Sequence, residues 1–259
     1  MNYSIDCIVR ASDTLSDGFF HLSLEPVRKI SKIVPGQFVM VRCAAQLDPF
    51  LRRPMSIADF EPDGSRFGLL IKQVGKGTRY LAGLAPWSSL DVMGPYGQGF
   101  TVPEGVRKIW IVAGGSGVAP FLGLLANSPK GAYEHTVFLG AKNESELLYL
   151  NRLEKHARVI TATEDGSHGF SGYVTEPFST EISGGARPDI IFTCGPTPMM
   201  KKVAQLAEEL GIPCQVSLEN SMACGFGACL GCVVKARGQD KYLTVCKNGP
   251  VFDALRIEL

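Results

Sequence analysis

Apolar and polar positions along the first hundred residues alternate in short runs that end in turns. Ser4–Arg10, Phe19–Glu25, Phe38–Arg42, Pro54–Asp59, Phe67–Val74 and Ser89–Gly94 are β-branched or aromatic in character. Asp17-Gly18, Pro35-Gly36, Pro62-Asp63-Gly64 and Pro95-Tyr96-Gly97 punctuate them, and turn residues between such runs predict strands. Six short strands at this spacing predict an antiparallel barrel over residues 1–102. A short helix is expected at Thr78–Gly83, before the last strand.

The pattern then changes. Ile109 to Ala113 is an unbroken apolar run after Lys108, typical of a parallel strand buried on both faces. Strands at His135–Gly140, Arg158–Thr163 and Asp189–Thr193 alternate with helical stretches at Pro120–Ala126, Ser145–Glu154 and Pro198–Leu210. That alternation predicts an α/β unit with a parallel sheet over 103–215. Gly211 gives the last helix its stop. Ile109–Ala126 carries no charge and is about as long as the shortest membrane span. Its glycines, Ser116 and Pro120 make it a buried strand, a tight loop and a helix start instead. Residues 216–259 are too few for a strong core, so a metal is expected to hold them together.

Composition adds little beyond exclusions. The 259 residues are 45% hydrophobic and 20% charged, with net charge +1. Nothing in that balance favours nucleic acid or an anionic membrane. Residues 1–20 lack a basic start followed by an apolar stretch, which predicts a cytoplasmic protein. Eight cysteines in such a chain point to metal or redox use before disulfides. Cys7, Cys43 and Cys214 have no partner spacing and read as buried small hydrophobes. His21, His135, His156 and His168 show no ligand spacing either.

The strongest chemical signal is Cys224-Gly-Phe-Gly-Ala-Cys229-Leu-Gly-Cys232, followed by Cys246. C-x4-C-x2-C with a distant fourth cysteine is the plant-type spacing of a [2Fe–2S] cluster. Gly225, Gly227 and Gly231 let the backbone wrap closely around such a group. Zinc also accepts four thiolates, but its usual signature is two closely spaced pairs.

Other motifs are weaker singly. Arg53-Pro54-Met55-Ser56 opens a barrel strand; an arginine there can hold a flavin pyrophosphate, and a strand end with solvated arginines explains it as well. Leu70-Ile71-Lys72 and Gly77-Thr78 follow, the latter as a phosphate-binding helix start or simply a helix cap. Gly114-Gly115-Ser116-Gly117 leads from strand to helix, with Pro120 in the first turn. It is not the G-x-G-x-x-G fingerprint, yet glycines before a helix still suit a dinucleotide. Cys194-Gly195-Pro196 ends a later strand, where open α/β sheets bind ligands. Cys194 reads either as a neighbour of nicotinamide or as a buried thiol. Glu164-Asp165-Gly166-Ser167 reads as a ribose contact or as a polar turn.

In their order, Arg53 to Ser56, Gly77-Thr78, Gly114 to Pro120 and Cys194 to Pro196 resemble ferredoxin–NADP reductase-like flavoproteins. With Ser217 to Val234 and Val245 to Phe252, the chain resembles the electron-transfer subunits of class 1B dihydroorotate dehydrogenase over essentially its whole length. The resemblance implies FAD on the barrel (1–102), held by Arg53 to Ser56, Leu70 to Lys72 and Gly77-Thr78. It implies NAD on the α/β unit (103–215), at Gly114 to Gly117 and Cys194 to Pro196. A [2Fe–2S] cluster on Cys224, Cys229, Cys232 and Cys246 would occupy 216–259. The implied partner is an FMN-containing subunit that oxidises dihydroorotate to orotate, in a heterotetramer with two of each chain. Met55 departs from the wider group, which often has an aromatic residue there. A sulfhydrogenase- or transhydrogenase-type component, or a zinc-stabilised interaction module, would share several of these features. Lys142 leaves NADP open as the dinucleotide.

Overall fold

Residues 4–30, 32–44 and 46–259 are described by a computed structural model. Of the stretch read as barrel, residues 1–3, 31 and 45 lie outside the described residues. The barrel comprises β1 (Ser4–Ser16), β2 (Phe19–Pro26), β3 (Phe38–Val41), β4 (Arg53–Phe60), β5 (Phe67–Lys72), α1 (Lys76–Ala82) and β6 (Ser89–Tyr96). The strands close in the order β1-β2-β5-β4-β3-β6. Val9, Leu22, Leu24, Val39, Val41, Leu69 and Ile71 fill the interior, which is the alternation visible in the sequence turned inward. β1 runs beyond the expected Arg10. Irregularities at Val9/Ala11 and Thr14/Ser16 bend the strand, so a polar stretch can keep pairing around the wall.

The second unit contains β7 (Lys108–Gly114), α2 (Ala119–Ala126), β8 (Glu134–Ala141), α3 (Leu150–Leu153), β9 (Arg158–Thr163), β10 (Phe170–Ser171), α4 (Thr175–Ser183), β11 (Ile190–Cys194), α5 (Thr197–Glu209) and β12 (Cys214–Ser217). Its strands lie side by side as β10-β9-β8-β7-β11-β12, all parallel. Strand order reverses between β7 and β11, the point at which such sheets open a crevice. The helix expected over Ser145–Glu154 is broken. A 3-10 turn at Glu144–Glu146 and the single turn of α3 flank Tyr149, whose φ is 62°. The kink turns Tyr149 inward, where it is 8% exposed.

The last stretch holds the hairpin β13 (Val233–Lys235) and β14 (Tyr242–Thr244), then α6 (Val245–Asn248) and β15 (Val251–Asp253). It has no core of its own and leans on the rest of the fold. β15 pairs antiparallel with β12 and extends the sheet. Val245, Cys246, Phe252 and Ile257 share one apolar cluster with Trp110, Val112, Phe138 and Ile191 of the sheet, and with Phe38 and Met40 of the barrel. The barrel and sheet units meet at α2, where bare Gly123 lets the helix approach Phe60; a Cβ there would lie 2.9 Å from the ring. Among the described residues no helix is long and apolar enough to cross a membrane.

Phe252 is 3% exposed in the shared cluster. Phe252→Ala is expected to lower the unfolding free energy by about 3–5 kcal/mol, read from denaturant unfolding. A change within error would mean that the last strand adds nothing to the common core.

Candidate functional site

The register of β3 against β4 sets Val41, Met40, Val39 and Phe38 opposite Arg53, Pro54, Met55 and Ser56. The two adjacent arginines have different surroundings. Arg52 donates to the Asp91 carboxylate at 2.5 Å and to its carbonyl at 3.1 Å, tying the strand end to β6. Arg53 has no carboxylate partner among the described residues and reaches only the carbonyls of Leu51 and Arg52. A guanidinium in that state can take a phosphate with both arms. Gly77 brings the start of α1 beside it: a Cβ would stand 3.6 Å from Arg53 Cγ. The Thr78 hydroxyl accepts from the N–H groups of Val74 and Gly75 at 2.9 and 3.1 Å, so it braces the turn. Leu70 and Ile71 are buried, which leaves their backbone, and Lys72, to face a ligand.

A cleft of about 800 Å³ opens at the carboxyl ends of β7 and β11, within the size range of cofactor pockets. Gly114, Gly115 and Ser116 form one wall, and Gly195, Pro196 and Met199 form another. The loops touch backbone to backbone. A Cβ on Gly195 would lie 2.9 Å from Gly114 N, and one on Gly117 would lie 2.3 Å from the Cys194 carbonyl oxygen. Gly117 therefore supports the loop from behind and does not line the cleft. Cys194 does not line it either. Its position on the central β11 leaves it 1% exposed, and burial pushes its thiol well up, so the buried-thiol reading holds.

Glu164 lines the cleft, whereas Asp165 accepts from the N–H and hydroxyl of Ser167 at 2.9 and 2.6 Å and simply closes a turn. Lys142 also lines the cleft. Phe19 and Lys72 reach it from the barrel, with Lys72 Nζ 5.0 Å from the Phe19 ring centre. Sequence reasoning missed Phe19, Glu146, Tyr173 and Lys202. No motif marks them: Phe19 reaches the cleft through the docking of barrel on sheet, Tyr173 just before the unforeseen α4, Glu146 in the broken stretch after β8 and Lys202 on an expected helix without a distinguishing pattern.

The late cysteines come together as two pairs. The Cys229 N–H points at Cys224 Sγ at 3.5 Å, and the Cys246 N–H points at Cys232 Sγ at 3.4 Å. Burial pushes the Cys224 thiol up, but N–H groups of Cys229, Phe226 and Ala228 outweigh it and bring it down to about 6. Cys246 is raised to about 12 by burial and by neighbouring Cys232. Among the described residues no three ligands converge as a single metal ion needs. Two thiol pairs on an N–H-lined loop fit a two-iron cluster, one pair per iron. Gly225 and Gly227 have φ of 82° and 89°, which keeps the loop wrapped around this space. Cys229 is exposed, Cys224 half-buried, and Cys232 and Cys246 buried.

Three stretches of the chain match known protein families. Residues 7–100 match an oxidoreductase FAD-binding domain, 111–205 an oxidoreductase NAD-binding domain, and 219–258 the iron–sulfur cluster binding domain of dihydroorotate dehydrogenase B. A dihydroorotate dehydrogenase B (NAD(+)) electron transfer subunit from Desulforamulus reducens is 39% identical over 86% of each chain. The chain belongs to the dihydroorotate dehydrogenase B electron transfer subunit family. Another such subunit, from Fusobacterium nucleatum, is 32% identical over 98% of both chains. FAD, NAD and an iron–sulfur cluster are thus the cofactors of this family member, an oxidoreductase component. Among solved structures, an NADH-dependent reduced ferredoxin–NADP oxidoreductase, described for flavin-based electron bifurcation, superposes with TM-score 0.86 at 28% identity, over 97% of this chain and 89% of that one. A ferredoxin–NADP+ reductase from Plasmodium falciparum, at 16% identity and TM-score 0.64 over 79% of this chain and 89% of its own, shares the fold.

Gly117→Ala is expected to weaken NADH binding about tenfold or more, because the loop must shift to admit the methyl group. Calorimetric titration with NADH checks this; wild-type affinity would show that the Gly114–Gly117 loop does not form the dinucleotide site.

Proposed function

We propose that the chain carries electrons between a nicotinamide dinucleotide in the cleft and a catalytic partner subunit docked over Cys229. In this reading residues 1–102 hold FAD, 103–215 hold NAD, and 216–259 hold a [2Fe–2S] cluster. Arg53 would clamp the FAD pyrophosphate, with the Gly77-Thr78 turn beside it. Pro54 to Ser56 and the backbone of Leu70 to Lys72 would border the flavin ring, with the Met55 thioether as apolar cover. Gly114 to Ser116, Gly195 and Pro196 would receive the dinucleotide. Cys224, Cys229, Cys232 and Cys246 would ligate the cluster.

The observation that carries the proposal is the seat of the cysteine loop. Gly225 packs on Met40, where a Cβ would stand 2.4 Å from Cγ, and Met40 faces Pro54 across the β3–β4 ladder. The start of the cysteine loop thus packs on β3, the ladder neighbour of the strand that opens with Arg53. When bound, a flavin can exchange hydride with nicotinamide and single electrons with an iron–sulfur centre. The chain itself supplies position and insulation: buried Cys232 and Cys246 face the common core, and exposed Cys229 faces outward.

Phe226 and Leu230 flank that exposed thiol at 45% and 65% exposure, a rim suited to a protein partner. The relatives' shared name supports a partner that dehydrogenates dihydroorotate, with NAD+ as final acceptor; FMN on that partner and orotate as its product are part of the proposal. An assembly of two copies of each chain belongs to the same proposal.

Cys229→Ser is expected to remove most of the visible iron–sulfur absorption and to uncouple NAD+ reduction from the partner, while FAD stays bound. Iron, zinc and flavin analysis of wild type and variant decides the matter. Four bound thiolates with zinc in place of iron, or full coupling in the variant, would overturn the assignment.

A further inference from the structure

A polar circuit crosses the junction between barrel and sheet, on the strand that pairs with Leu70. His21 of β2 is 6% exposed. Its Nδ1 lies 2.6 Å from the Tyr149 hydroxyl, and its Nε2 lies 3.6 Å from Asp59 Oδ1. Asp59 Oδ2 pairs with Arg152 at 2.5 Å, and the Arg152 guanidinium sits 5.3 Å from the centre of the Tyr149 ring. His21 and Asp59 belong to the barrel; Tyr149 and Arg152 belong to the sheet unit.

The proton positions follow from charge. Burial holds His21 below the ordinary histidine range, so it carries one ring proton, and the nearby carboxylate draws that proton to Nε2. Nδ1 then accepts from the Tyr149 O–H. Two backbone features leave the circuit room to close. Tyr149 takes a left-handed φ of 62°, which a residue with a Cβ adopts at a cost. Gly68 lies beneath Asp59 and His21, where a Cβ would stand 2.1 Å from Asp59 Oδ1 and 2.4 Å from His21 Nε2.

Both sides of the circuit continue into the walls of the cleft. Phe19 is two residues before His21, and Glu146 is three residues before Tyr149; both line it. The geometry points to His21, Tyr149, Arg152 and Asp59 as an interdomain latch that sets the nucleotide cleft against the barrel. Tyr149 is accordingly a positioning residue for transfer between nicotinamide and flavin. The inference rests on the electron-transfer reading above. The apolar contact of α2 with β4 remains when the circuit is cut, so the units stay joined and only their alignment loosens.

The test uses the holoprotein with Tyr149→Phe, which removes one oxygen and keeps the ring, and Arg152→Gln, which cuts the circuit at its exposed side. Without nucleotide, amide exchange over residues 147–153 is expected to quicken about tenfold in either variant. On rapid mixing with NADH, the limiting rate of flavin reduction is expected to fall about tenfold, with NADH affinity changed less than about threefold. The double variant should lose no more than the larger single loss. Exchange and rate within about twofold of wild type, or faster exchange with an unchanged rate, would overturn the latch. A wild-type flavin that NADH fails to reduce would instead sink the functional reading, and the latch with it.

Discussion

The contact between Gly225 and Met40 is the constraint on which the arrangement of cofactors depends. Met40 is fully buried, so its side chain cannot move aside, and any side chain at position 225 would displace the cysteine loop outward. Met40 also belongs to the cluster that contains Cys232, Cys246 and Trp110. One methionine therefore touches the barrel wall, the cysteine loop and the apolar mass continuous with the sheet. Electron transfer needs centres held at fixed short separations, and close-packed interiors supply that by resisting compression and shift. The segment is anchored again by β15, whose pairing with β12 follows Cys246 by only a few residues. The cysteines are thus held by a packing contact next to the first of them and a strand after the last.

The cleft is assembled on the same principle with different atoms. Gly114, Gly117 and Gly195 stand where loops from β7 and β11 meet with no room for a Cβ. This explains how a loop lacking the usual dinucleotide fingerprint still lines a crevice at the carboxyl ends of β7 and β11. What the chemistry requires is close backbone approach at the strand-order reversal, and Gly-Gly-Ser-Gly supplies it against a partner loop that itself contains glycine.

The legible parts of the chain were those governed by local pattern. The barrel strands, the apolar β7 and the alternating α/β elements follow from side-chain periodicity, and the cysteine spacing is a nearly unique chemical signature. Elements that depend on tertiary partners were not legible. β12 and β15 are short and acquire strand character only from each other and from β11. The break at Tyr149 contradicts a good helical pattern, because the contact with His21 lies 128 residues away in sequence. Arg52 and Arg53 look equivalent in the sequence, and only the neighbouring β6, with Asp91, separates a structural arginine from one left for a ligand. Cys194 stands in a motif that points to the cleft, but its strand is central and covered, so the thiol faces inward.

The junction of barrel and sheet combines two kinds of force with different consequences. Burial of α2 against β4 is favourable at many relative angles, because the hydrophobic effect has no direction. It joins the units without defining where one cleft wall stands relative to the other. Hydrogen bonds and ion pairs are directional, and inside a protein each unmet polar group is costly. The His21–Tyr149 hydrogen bond and the Asp59–Arg152 ion pair, with the Asp59 carboxylate beside His21, are therefore complete at one alignment and broken at others. Apolar contact gives the junction its strength, and the polar circuit selects the angle. Phe19 from the barrel and Glu146 from the sheet unit both line the cleft, two and three residues from that circuit.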